Sequence, residues 1–106
     1  MVRIDLHSFC SNQGYGAKLA NIFSTHFSVE TADTETGLTY SQTWSNNMSE
    51  KTEAVITKGA KKGYTRISFK PDLQRFKMKS LRETDILAVM QRRVHDIAAC
   101  LPDVKV

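Results

Sequence analysis

The sequence predicts an α+β domain, a two-layer sandwich in which a mixed, mostly antiparallel sheet carries helices on one face. Three observations lead to this prediction. Five short segments have the composition and alternation of half-buried strands. Two further segments repeat apolar residues at helical spacing. With 106 residues, the chain has room for one small domain.

The first half of the chain is predicted to contain three strands and one helix. Leu19, Ile22 and Phe23 fall on one helical face, and this helix follows a glycine-containing stretch. The acidic stretch 33–37, DTETG, separates two alternating runs and is typical of a hairpin loop. The three strands are predicted at residues 2–6, 26–32 and 38–44.

The second half is predicted to begin with two more strands on either side of the turn GAKKG, at residues 54–58 and 64–69. Pro71 closes the second of them, because proline has no N–H to donate to a ladder. A final strand is predicted to begin at residues 104–106, VKV, so we expect the chain to be a piece of a larger domain.

A long amphipathic helix is the clearest element of the second half. Ser80 and Glu83 fit a capping box, with Thr84 as a competing cap. Apolar residues then recur every three or four positions, which predicts a helix of about four turns. They are Ile86, Val89, Met90, Val94 and Ile97.

Charge and composition exclude some functions and leave others open. Residues 1–53 have a net charge of −3, whereas residues 54–106 have +7. A basic half could contact nucleic acid, and an ordinary solvated basic face is the alternative. No stretch reaches the roughly 18 apolar residues that would span a bilayer, so we expect no membrane association and a cytoplasmic or nuclear setting. Cysteine and histidine spacing predicts reduced thiols and no metal site.

The stretch QGYGAK, residues 13–18, has the chemistry of a phosphate-binding loop. Gly14 and Gly16 allow a ligand to approach the backbone closely, and the helix that follows contributes unpaired amides and a partial positive charge. Lys18 adds a full charge. The spacing fits neither GxxxxGK[ST] nor GxGxxG after a strand, so an ordinary loop-to-helix junction stays open as the alternative.

A longer string strengthens the case for phosphate binding. Residues 13–33 contain GYGAKLANIFSTHFSVETAD, and QTWSNNMS, YTRISFKPDLQRFKM and DILAVMQRRVHDIA follow in order. These blocks resemble the ATPase domain of eukaryotic type IIA DNA topoisomerases, in which the first block reads GRNGYGAKL-x-NIFST-x-F-x-x-ET. The resemblance covers about residues 13–106, which predicts a divergent stretch at 1–12 and a partial GHKL-type ATPase domain at 13–106.

The resemblance implies a nucleotide-binding role for the glycine loop, whose amides and lysine contact the triphosphate of ATP in that family. Three residues before the loop depart from the family, which has Gly, Arg and Asn where this chain has Ser11, Asn12 and Gln13. The cofactor-binding set implied by the match is Ser11, Asn12, Gln13, Gly14, Tyr15, Gly16, Ala17 and Lys18. No catalytic residue and no metal ligand is assigned.

The function implied is that of a fragment of an ATP-dependent DNA topoisomerase, in which ATP binding and hydrolysis drive DNA strand passage by a nuclear homodimer. The family's general base and Mg²⁺ ligand precede the glycine loop, so we expect the isolated chain to be inactive. The alternative is a catalytically inactive basic interaction module or a truncated remnant.

Overall fold

A computed structural model describes residues 2–6 and 15–106, with side chains from residue 16 onward. The chain divides into two compact units, Met1–Asp72 and Leu73–Val106. The sequence boundary predicted between residues 12 and 13 lies outside the described residues and stays a prediction.

The first unit is a six-stranded sheet in which all described pairings are antiparallel. The strands are β1 Val2–Leu6, β2 Ser24–Asp33, β3 Leu38–Ser45, β4 Glu50–Lys51, β5 Val55–Lys58 and β6 Tyr64–Pro71. Their order in the sheet is β1-β6-β2-β3-β4, and β5 also pairs with β3. The helix α1, Tyr15–Ile22, contacts β2 and β6, and the predicted α+β class, with a mostly antiparallel sheet and helices, is therefore confirmed.

An aromatic row across the three central strands forms the core of this sheet. Phe27 on β2 pairs in register with Trp44 on β3 and Phe69 on β6. Its ring lies 6.0 Å from the Trp44 ring in an edge-on arrangement and 6.4 Å from the Phe69 ring. Phe27 is buried, with 3% of its surface exposed. The alternation that predicted strands at 26–32 and 38–44 therefore reflects this buried face.

The link between β5 and β6 crosses the end of the β2–β3 hairpin. The backbone amides of Gly59 and Ala60 both donate to the carbonyl of Gly37, at 2.9 and 3.1 Å. Gly59 has φ of 111°, a conformation that only glycine adopts without strain. The stretch GAKKG is thus a crossover between strands that are not neighbours.

The hairpin loop after β2 is organised by the Asp33 carboxylate. It accepts a hydrogen bond from the Thr36 hydroxyl at 2.8 Å and one from each backbone amide of Glu35 and Thr36 at 3.2 Å. The Thr36 hydroxyl and then these amides hold the pKa of Asp33 below its ordinary value of 3.8. The acidic stretch therefore forms its own turn, as predicted.

We expect the Asp33 carboxyl to titrate below pH 3.8 in the folded chain, because protonation would break these three hydrogen bonds. Its folded-state pKa is lower than its unfolded one, so the contacts stabilise the fold above the unfolded pKa and are lost as pH falls through the folded pKa. Carboxyl carbon shifts measured by NMR against pH give the midpoint. Thr36→Val should raise it, whereas Thr34→Val in the same loop should not. Equal midpoints in the two variants would contradict the assignment.

The second unit contains the helix α2, Thr84–Cys100, as the apolar periodicity predicts. The capping prediction is wrong in its position. Glu83 is the N-cap residue, and its carboxylate accepts the amides of Lys79 and Ser80 at 2.6 and 3.3 Å. Ser80 accepts the Arg82 amide at 3.1 Å. The serine and glutamate therefore close a turn that precedes the helix, and Thr84 is its first residue.

Two other predictions differ from the structure. Residues 104–106 are not a strand, because an alternating pattern needs a neighbouring strand to pair with. Residues 50–51, which lie outside the predicted strands, form β4, because a tight turn after β3 folds the chain back onto Trp44 and Ser45.

Candidate functional site

The predicted nucleotide-binding residues fall into two groups. Ser11, Asn12, Gln13 and Gly14 lie outside the described residues, and their assignment stays a prediction. Tyr15, Gly16, Ala17 and Lys18 begin α1. The sequence predicted a glycine-containing loop that leads into a helix, and in the structure these four residues form the first turn of that helix.

The first turn of α1 is open and positively charged. Residues 16–18 are exposed, and a Cβ built on Gly16 would meet no atom within 4 Å. Within the part of the chain that the structure describes, Lys18 makes no hydrogen bond or ion pair. Amides in a first helical turn have no partner inside the helix. This turn can therefore present backbone donors and an ammonium group to an anion.

The other end of α1 runs almost directly into β2, with Phe23 alone between them. Helices commonly end with a glycine whose backbone satisfies the last carbonyls, and no glycine is present here. The carbonyl of Leu19 instead accepts the Phe23 amide at 3.1 Å, and that of Ala20 accepts the Ser24 hydroxyl. The carbonyl of Ile22 accepts the side-chain amide of Asn47 at 2.9 Å.

Asn47 belongs to the turn between β3 and β4, and three consecutive residues of this turn have left-handed backbones. The φ values of Asn46, Asn47 and Met48 are 50°, 56° and 69°. The amide of Asn46 donates to Thr25 and that of Asn47 to Ser24, both at 3.0 Å. These bonds hold a conformation that costs a non-glycine residue about 1 kcal/mol or more.

Asn47 also connects this turn to the end of β6. Its side-chain amide donates to the Asp72 carboxylate at 3.2 Å, and the Asp72 amide donates to the Phe23 carbonyl at 2.8 Å. We call the bonds of Asn47 to Ile22, Ser24 and Asp72 the Asn47 clamp. Sequence reasoning missed it, although paired asparagines tolerate left-handed turns and were a usable signal.

The most buried side chains of residues 16–24, in α1 and at the start of β2, are polar. Asn21 is 5% exposed and Ser24 is 2% exposed, whereas Leu19 and Ile22 are 53% and 43% exposed. The predicted apolar face of Leu19 and Ile22 is therefore not the face that this chain buries. The side-chain oxygen of Asn21 has no hydrogen-bond partner in the described structure. Because the apolar side chains of residues 16–22 are little buried, hydrogen bonds contribute a larger share of what holds α1 against the sheet.

A second polar feature is a shallow trough of about 260 Å³ on the sheet face opposite the aromatic row. Glu30 lies in β2, not in the acidic loop, and accepts Arg66 at 2.9 Å and the Tyr64 hydroxyl at 2.5 Å. The Arg66 guanidinium also lies 5.2 Å from the Tyr64 ring centre. These groups satisfy one another, so the first turn of α1 is the better candidate site. The trough is lined by Ser28, Val29, Glu30, Ser41, Gln42, Thr43, Arg66 and Ser68.

The described residues contain no group of three or more His, Cys, Asp or Glu side chains that could hold a metal ion. None of their helices is both long and apolar enough to span a membrane. Cys100 is exposed and carries a free thiol.

The chain has close relatives of known sequence. It is 53% identical over 89 residues to the mitochondrial DNA topoisomerase 2 of Dictyostelium discoideum, and 56% identical over 95 residues to the DNA topoisomerase 2 of Saccharomyces cerevisiae. These alignments cover 82% and 88% of this chain but 7% and 6% of the relatives. A comparison with models of protein families matches none of them.

Solved structures agree with the sequence comparison. The ATPase region of Saccharomyces cerevisiae topoisomerase II matches with a TM-score of 0.73 and 58% identity, over 79% of this chain and 22% of that one. The ATPase and transducer domains of DNA topoisomerase II from Balamuthia mandrillaris match with a TM-score of 0.77 and 52% identity, over 82% and 24%.

These similarities define a type II topoisomerase ATPase fold. The chain belongs to the DNA topoisomerase 2 family and corresponds to part of its ATPase region. It spans less than a tenth of the length of the curated relatives and about a quarter of the solved chains.

Proposed function

We propose that this chain carries the phosphate-binding part of the ATP site of a type II DNA topoisomerase. The observation that carries the proposal is the open first turn of α1, where Lys18 is exposed beside backbone amides that have no partner inside the helix. ATP bound there supplies the phosphoryl group that is hydrolysed. None of the assigned residues is proposed as a ligand of Mg²⁺. The assigned set is Ser11, Asn12, Gln13, Gly14, Tyr15, Gly16, Ala17 and Lys18.

The described residues of the set contribute to phosphate binding in three ways in this proposal. The Lys18 ammonium donates to phosphate oxygens, a charge-assisted bond worth about 1.5–3 kcal/mol when well formed. The amides of the first turn donate to the same oxygens, and the helix dipole favours their negative charge. Gly16 keeps the surface free of a side chain, so a phosphate can approach the backbone closely.

The activity of the parent enzyme is part of the same proposal. ATP binding and hydrolysis drive DNA strand passage by a homodimer, and the DNA is bound through the larger protein. We place that protein in the nucleus, although one relative is named as mitochondrial. By itself, the 106-residue chain should bind ATP weakly, with a Kd on the order of millimolar.

An ATP titration of the isotope-labelled chain tests the proposal. We expect amide shifts by NMR to centre on residues 14–20, with ATP and GTP nearly equivalent. Lys18→Ala should remove most of the shift, because it removes the charge. Gly16→Ala should weaken binding without harming the fold, since the added methyl meets no chain atom and alanine favours a helix over glycine by about 0.5–1 kcal/mol.

Lys61→Ala is the matched control, because Lys61 is also an exposed lysine and lies in the GAKKG crossover. It should leave the ATP shifts unchanged. Shifts that centre on residues 61 and 62, or no shifts at all, would overturn the assignment of the phosphate site to α1.

A further inference from the structure

We infer that Asn47 is a positioning residue for the phosphate-binding turn, acting through α1 from the opposite end of that helix. The inference rests on the proposed function, because it concerns the geometry of the same site. Asn47 itself lies at the Ile22 end of α1 and has no described contact with residues 15–18.

Apart from the bonds of Asn47, few described contacts fix the direction of α1. The helix has 8 residues, which is about 12 Å of length. Leu19 and Ile22 are about half exposed, and among residues 16–22, whose side chains the structure describes, the one that is buried is the polar Asn21. A helix held by so little apolar contact depends on the hydrogen bonds at its ends.

Asn47 supplies the contact at the Ile22 end of α1 that the local sequence lacks. No glycine follows Ile22, so the chain cannot form the usual glycine cap there. The Asn47 side-chain amide donates to the Ile22 carbonyl at 2.9 Å and to Asp72 at 3.2 Å. One side chain therefore joins the end of α1 to the turn after β3 and to the end of β6.

The turn that carries Asn47 has a strained backbone. Three successive non-glycine residues have positive φ, including Met48 at 69°. Such a run persists only where surrounding contacts over-determine it. The contacts here are backbone bonds to Ser24 and Thr25 at 3.0 Å, directly after α1. The strained turn is thus held at the place where it can orient the helix.

The consequence concerns Lys18 and the first-turn amides. If the Ile22 end of α1 loosens, the helix tilts about that end, and displacement is largest at the Tyr15 end. Donors that must converge on one phosphate lose alignment when they are misplaced by about 1 Å. Loss of the two side-chain bonds of the Asn47 clamp, to Ile22 and Asp72, should therefore weaken phosphate binding without removing any group that touches the phosphate.

The test compares Asn47→Gly with Asn46→Gly in the full 106-residue chain. Glycine tolerates the left-handed backbone at both positions, and Asn46 makes its described bonds through its backbone. We expect Asn47→Gly to reduce hydrogen-exchange protection of the α1 amides about tenfold relative to the amides of β2 and β6. We also expect the Kd for ATP to rise about fivefold to tenfold, as for the loss of one good hydrogen bond. Asn46→Gly should change each within about twofold.

Each outcome decides the inference. Equal loss of protection in α1 and in the sheet would show general destabilisation and overturn it, as would α1 loosening at unchanged ATP affinity. If the unmodified chain gives no ATP-dependent shifts, the proposed function fails, and the exchange data still decide whether Asn47 orients α1. If Asn47→Gly does not fold, the unmodified chain suffices: side-chain amide protons of Asn47 that exchange as fast as those of Asn46 would overturn the inference.

Discussion

Phe27→Ala should lower the free energy of unfolding by about 3–5 kcal/mol, the usual cost of truncating a buried phenylalanine. Phe27 is 3% exposed and lies between Trp44 and Phe69 at the centre of the sheet. Its removal leaves a cavity between strands that cannot move together without breaking their ladders. Because a domain of this size has about 5–15 kcal/mol in total, the loss is a large share of its stability.

Denaturant unfolding followed by far-UV circular dichroism measures this loss. Ile56→Ala is the control, because it truncates an apolar side chain in the same sheet where 64% of the residue is exposed. It should cost less than about 1 kcal/mol. Similar losses in the two variants would mean that the aromatic row is not the core of this unit.

The strands could be predicted because burial imposes a period of two on the sequence. Phe27 and Val29 alternate with Ser28 and Glu30, and the structure pairs the first two with residues of the aromatic face. Pro71 ends β6 as predicted, because its missing N–H is a local property. The alternation of these strands and the proline at the end of β6 were therefore predicted correctly, whereas the apolar face of Leu19 and Ile22 was not.

Features that depend on distant residues could not be predicted in the same way. The left-handed run from Asn46 to Met48 is fixed by bonds to Ser24 and Thr25, more than twenty positions earlier. The paired asparagines permit this conformation, but nothing in the local sequence requires it. The short strand β4 follows from that turn, since the turn returns the chain to Trp44.

In the candidate site too, features that follow from the local sequence could be predicted and features that depend on distant contacts could not. Lys18 could be proposed from the sequence because a lysine after glycines at a helix start is a local pattern, and the family resemblance supports the proposal. The exact start of α1 at Tyr15 could not, since helix boundaries depend on capping contacts. Asn47 was missed because its role depends on the Ile22 carbonyl, which it meets only in the folded chain.

Two substitutions of Asn21 should have opposite consequences. Asn21 is 5% exposed and its side-chain oxygen lacks a partner in the described structure. Asn21→Asp replaces a neutral amide with a carboxylate at a buried position, and burial penalises the charged form. We expect a loss of about 3 kcal/mol at pH 7, equivalent to a pKa raised by about two units. Asn21→Leu removes the unpaired oxygen with little change in size, so it should be neutral or stabilise by about 1 kcal/mol.

The pH dependence separates these effects from simple damage to packing. The carboxyl introduced by Asn21→Asp has a folded-state pKa above its unfolded one, so its cost is present above the folded pKa and disappears below the unfolded pKa, about 4. Unfolding free energies measured from pH 7 to pH 3.5 should therefore bring this variant toward the unmodified chain, while Asn21→Leu follows the unmodified chain throughout. A loss in Asn21→Leu as large as that in Asn21→Asp would show that the amide makes a required hydrogen bond. In that case the end of α1 would be held by Asn21 as well as by Asn47.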